Sequence, residues 1–237
     1  MSQQPQRGGF FSNLLFNIIV PVVILTRFSG PDYLGPAWSI VVALAFPIGY
    51  GLWEMRQTGK LNAMSVLGVI SVFLTGGISL LQLDPKYIAI KEAAIPGLLG
   101  LAVLISQKTR WPLVRMLIFN AKIIAIDRVN QALNQRGTHQ QLERSLSLVS
   151  YIVAASFFMS SVLNYILARV ILVSPPGTTA FSEELGKMTA WSYPVIALPS
   201  TVVLMIAIFF LLHRLKKLTG LDLEALLVEQ GSEEPKN

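Results

Sequence analysis

Apolar residues gather into six runs along the chain, at residues 10–28, 34–53, 63–83, 87–106, 148–173 and 194–213, with short polar or basic segments between them. A helix rises ~1.5 Å per residue, so about twenty residues match the ~30 Å hydrocarbon core of a bilayer. The pattern predicts an all-α, polytopic membrane helical bundle with six transmembrane helices. Residues 1–9 and 214–237 are then polar tails flanking a membrane domain at 10–213. Two segments break the rule. Residues 107–147 mix apolar positions at helical spacing, such as Ile126, Val129 and Leu133, with charges, and 174–193 repeats Phe181, Leu185 and Met188 opposite Glu183, Glu184 and Lys187. Both predict short amphipathic helices lying at the membrane interface. The Asn/Gln-rich stretch 130–141 reads as a solvated turn.

Within the runs, the exceptions to apolarity carry the information. Asn13 and Asn17 are four apart and share a helical face, where each can bond a neighbouring helix or a ligand. The second run is interrupted by Pro36, Pro47, Gly49 and Gly51, tolerable only where other groups re-satisfy the backbone. In the third, Ser65, Gly68, Thr75 and Ser79 recur along one side as a packing stripe. Asp84-Pro85 is a tight turn suited to cap the next helix.

That next helix places Lys91 and Glu92 side by side within the span, where charge is costly. Ala89, Ala93, Gly97 and Gly100 form one narrow face that admits a close neighbour. Glu92 lies at the edge of this stripe and Lys91 nearly opposite it, so the two are expected not to pair. Pro96 removes a backbone donor and frees carbonyls around Glu92. Arg169 lies five residues from the end of the fifth run and Glu92 five residues into the fourth, which predicts an interhelical ion pair at matching depth. Asn164 precedes Arg169 on the fifth span. The candidate polar site is therefore Lys91, Glu92, Asn164, Arg169, Asn13 and Asn17. A coupled polar pocket and a purely structural pairing both fit.

Composition agrees with the pattern. Of 237 residues 53% are hydrophobic and 14% charged, with a mean hydropathy of +0.58. The net charge of +6 is distributed by topology. With six crossings, 14 of the 19 Lys and Arg residues fall on one side, from Arg7, Arg56 and Lys60 through the loop at 107–147 to Arg214, Lys216, Lys217 and Lys236. Arg27, Lys86, Lys91, Arg169 and Lys187 remain on the other side or in the membrane, so both termini are expected in the cytoplasm and 174–193 in the periplasm. Nucleic acid is not an expected partner, because the basic loop lacks interleaved aromatics beyond Trp111 and Phe119. The absence of cysteine removes disulfides, thiolate nucleophiles and cysteine-ligated metals. His139 and His213 are isolated, neither belongs to a ligand spacing, and no cofactor or metal is expected. No hydrolase, kinase, metalloprotease or dinucleotide motif is present, and the adjacent Glu183 and Glu184 diverge by about 100° on a helix, too far for an acid–base pair. An enzyme is not expected.

The run from Phe73 to Ile118 resembles the core of the intracellular septation protein A family of bacterial inner-membrane proteins. The matching positions are Gly76, Gly77, Asp84, Lys91, Ser106, Arg110, Pro112, Leu113 and Arg115, with Asn164, Tyr165 and Ala168 echoing a second pattern. The likeness covers about half the chain; the first two spans and the loop after Ser174 look like a distinct branch. The resemblance implies a multi-pass inner-membrane protein in cell-envelope maintenance or septation, acting through lipid and through division or wall-elongation membrane proteins. The alternative is a small transporter or a lipid- or solute-binding protein with a polar site around Glu92 and Arg169, which at six spans would need to act as a homodimer.

Overall fold

The computed structural model describes residues 14–58, 63–110, 112–118 and 124–226. These residues are almost entirely helical, with no strand among them. The elements are α1 (Leu15–Arg27), α2 (Gly35–Thr58), α3 (Ala63–Leu80), α4 (Lys86–Ser106), α5 (Leu113–Ile118), α6 (Ile126–Arg136), α7 (His139–Ile171), α8 (Thr179–Ser192), α9 (Leu198–Thr219) and α10 (Leu223–Leu226). Among the described residues, four helical stretches are long and apolar enough to cross a membrane: Gly35–Trp53, Lys86–Ser106, His139–Ile171 and Thr179–Thr219. The first and third expected spans are represented among the described residues by the apolar stretches Leu15–Arg27 and, within α3, Ile70–Leu80. Part of the first run, including Asn13, lies outside the described residues, as do residues 1–9 and 227–237 and Lys60.

Proline sets the local form of two of these helices. Pro21 lies four residues after Asn17 and Pro199 four after Val195, and a proline ring clashes with the carbonyl four residues back. In both places the backbone widens into one π-helical turn, Leu15–Ile19 and Tyr193–Ala197. The second π turn joins α8 to α9 without a break, so Pro194 and Pro199 do not end the helix.

The chain divides into two compact units, one of residues 1–95 and 161–197 and one of 96–160 and 198–237. In the first, the apolar face of α8 that the amphipathic pattern turns to the membrane interface packs on other helices. Phe181, Leu185 and Met188 are buried with Leu25, Ile40 and Ile88, and Gly186 lets α1 approach so closely that an added Cβ would meet Thr26 and Leu25 at about 3 Å. Protein claims the apolar face that the pattern alone assigns to lipid. Trp191 and Tyr193 remain exposed, as an aromatic belt requires.

In the second unit the basic segment folds. The expected solvated turn at 130–141 is mostly helix, and only Gly137-Thr138 turns. Gly137 takes φ 64° at the end of α6, where Thr138 N–H donates to the Leu133 carbonyl at 3.1 Å. Val129 and Leu133 are fully buried against Leu215 and Leu218 of α9 and Leu226 of α10, so this amphipathic helix too is covered by protein. The Thr138 hydroxyl donates to the Leu218 carbonyl at 3.1 Å, and Arg214 Nε donates to Ser145 at 3.2 Å. Before α10, Asp222 pairs with Lys216 at 2.7 Å, and the Thr219 hydroxyl donates to the Leu215 carbonyl and accepts the Leu221 N–H.

Candidate functional site

The site is built in the first unit around α4. Asp84 opens that helix as expected, its Oδ1 accepting the Lys86 N–H at 2.8 Å. That bond comes first among the effects holding the Asp84 carboxyl below its ordinary range, with the charges of Lys86 and Arg169 adding to it. Two turns on, the faces of α4 separate in the way a helical wheel dictates. The small-residue face meets α7: the Ala93 carbonyl accepts the Ser161 hydroxyl at 2.7 Å, which takes up one of the acceptors near Pro96. Further along, within the second unit, the same face brings Gly100 against Phe158 and the Ala154 carbonyl, where an added Cβ would stand at 3.1 and 3.3 Å.

The opposite face carries Lys91, which meets α3. Its Nζ donates to Thr75 Oγ1 at 2.7 Å, to Ser71 Oγ at 3.1 Å and to Glu92 Oε1 at 2.6 Å. An ammonium has three protons, so all of its donors are used. Thr75 is itself oriented, because its hydroxyl donates to the Ser71 carbonyl at 3.0 Å. The Lys91 side chain is 8% exposed and that of Glu92 26%.

Two expectations fail here. Lys91 and Glu92 do pair. Their Cα–Cβ bonds diverge, but the four-carbon lysine stem folds around the helix and brings the ammonium to the carboxylate, a reach that wheel angles ignore. Glu92 and Arg169 form no ion pair. Arg169 is exposed and its charge is felt by Asp84 at the head of α4, because a long side chain near a helix end extends toward the polar boundary and away from the hydrocarbon. Equal residue counts from the span ends thus do not give equal depths of charge. Asn17, in the π turn of α1, and Asn164, on α7, are half-buried, and neither is without a partner; Asn13 lies outside the described residues.

The stripe read as packing on α3 is therefore partly a polar ladder. Ser71, which the spacing of Ser65, Gly68, Thr75 and Ser79 does not include, joins Thr75 and Ser79 at intervals of four, so the three share one face. Thr75 and Ser79 are buried, and Ser79 carries no hydrogen bond on its hydroxyl. The side chain of Ser65 lies outside the described residues. A second unforeseen contact is Glu184. It does not confront Glu183; its two oxygens accept Val173 N–H at 3.0 Å, Ser174 N–H at 2.9 Å and the Ser174 hydroxyl at 2.6 Å. Among the described residues no cluster of His, Asp or Glu could hold a metal ion.

Searches against protein-family models, curated proteins and solved structures find no significant match.

Proposed function

We propose that this chain is a non-enzymatic inner-membrane protein that crosses the bilayer six times with both termini in the cytoplasm, and that it maintains the cell envelope or septum through contacts with other membrane proteins. The observation that carries the non-enzymatic reading is the saturation of Lys91. Its three protons are spent on Ser71, Thr75 and Glu92, which leaves no free donor to bind a substrate or move a proton. Such a fully paired charge fits a clamp holding α3 to α4. The six-crossing arrangement takes α1 and α3 as spans, supported by their apolar character and by the basic excess on one side. The envelope role and its division or wall-elongation partners rest on the resemblance of residues 73–118 alone.

Transport is the competing reading, kept in view by the partial exposure of Glu92. The test replaces exposed Arg128 or Arg144 with a photo-crosslinking residue and identifies what is captured in cells. Enrichment of division or wall-elongation proteins supports the proposal, and their absence refutes it. In parallel, a Glu92→Gln variant that loses cellular function at unchanged abundance and melting would turn the assignment to transport.

A further inference from the structure

One exposed face of α2 carries a notch whose origin is in its sequence. Ala45 and Gly49, four residues apart, are too small to fill their positions, while Phe46, Tyr50 and Trp53 rise on either side. Phe16 of α1 closes the notch, stacked on Phe46 at 6.4 Å and on Tyr50 at 5.9 Å between ring centroids, and Tyr50 leans on Trp53 at 5.7 Å. The resulting groove has a volume of about 410 Å³ and is lined by these six residues. That is within the ~300–1,000 Å³ typical of small-ligand sites. A Cβ built on Gly49 meets nothing within 4 Å, so the floor is open space.

Two features identify the occupant. The groove lies at the end of a stretch, Gly35–Trp53, long and apolar enough to cross a membrane, so the surrounding medium offers it hydrocarbon. Its aromatic stripe then continues into charge: Gly49, Trp53 and Arg56 follow one face of α2, and Arg56 is exposed in the last turn. Tyrosine and tryptophan at a span end mark the headgroup level, and a cation one turn beyond complements an anionic phosphate. We propose that this groove is a binding site for an anionic phospholipid, one acyl chain lying between Phe16, Phe46 and Trp53 over Gly49 and the headgroup phosphate paired with Arg56. The site is independent of the Lys91 clamp and of any envelope partner.

The test uses the full chain with Trp53 as its single tryptophan, made by Trp38→Phe, Trp111→Phe and Trp191→Phe, in phosphatidylcholine vesicles containing a minor fraction of lipid brominated on its acyl chain. Brominated phosphatidylglycerol should reach Trp53 at about five-fold lower mole fraction than brominated phosphatidylcholine, the preference one cation gives for an anionic lipid. Arg56→Gln should abolish that preference. Gly49→Leu, which has room for its side chain, should abolish the site-specific quenching by both lipids. Equal quenching by the two lipids in the parent, or a phosphatidylglycerol preference that survives Gly49→Leu, would overturn the proposal. If the triple replacement does not fold, native mass spectrometry of the unmodified chain decides: phosphatidylglycerol adducts lost in Gly49→Leu support the site, and adducts unchanged by it refute the site.

Discussion

Replacing Lys91 by methionine keeps the length of the side chain and removes its charge, leaving the Glu92 carboxylate without its partner. Breaking a buried ion pair from one side costs ~3–5 kcal/mol. Two features lower the figure here. Glu92 retains 26% of its exposure, so solvent recovers part of the carboxylate's loss, and the Thr75 hydroxyl keeps its own bond to the Ser71 carbonyl. Interhelical hydrogen bonds in membranes are also worth only ~0.6 kcal/mol on average. The expected cost of Lys91→Met is therefore about 2–3 kcal/mol. Glu92→Gln should cost about 1 kcal/mol, because Lys91 keeps two hydroxyl acceptors and an amide oxygen. The double variant should recover to within about 1 kcal/mol of the parent, since it removes both charges, giving a coupling of about 2–3 kcal/mol. Reversible unfolding in mixed micelles, read as a double-mutant cycle, measures each value. Additivity within ~0.5 kcal/mol would show that the pair does not hold the two helices together.

Three further predictions rest on single contacts. Gly220 has φ 71° and its missing Cβ leaves room for the Arg136 guanidinium, so Gly220→Ala should lose about 1–3 kcal/mol from strain and displacement of Arg136, seen as a lowered melting temperature that Arg136→Ala only partly restores. Glu184→Ala strands the Ser174 amide and leaves Val173 N–H only its bond to the Ile171 carbonyl at 3.1 Å; it should cost about 1–3 kcal/mol and speed hydrogen exchange most at Ser174 while leaving exchange at Val129 and Leu133 unchanged. Asp84 and Asp222 both titrate below their ordinary value of 3.8 in the folded chain, Asp84 through the Lys86 N–H and Asp222 through its hydrogen bond to Lys216. A depressed carboxylate stabilises the fold above its unfolded pKa and loses that contribution as pH falls through the folded one. Stability should thus be flat near neutrality and decline only below about pH 4, and Asp84→Asn with Asp222→Asn should remove that part of the acid dependence.

Sequence alone determined the helical class, the position of the central span and the cap at Asp84. Those properties depend on neighbours within a turn or two: twenty apolar residues need a backbone that satisfies itself, and a wheel fixes which side chains share a face. The separation of α4 into a small-residue face toward α7 and a Lys91 face toward a second helix follows from the same periodicity. Tertiary structure decided which surface each face meets and where the end of each long side chain lies. An amphipathic stripe such as Phe181, Leu185 and Met188, or Val129 and Leu133, is equally well hidden by lipid and by protein, and only the packing of α1 or α9 selects protein. The partner of Lys91 was likewise settled in space, because a flexible stem lets its ammonium satisfy three acceptors drawn from two helices, whereas Arg169, at the edge of its span, turns to the Asp84 end.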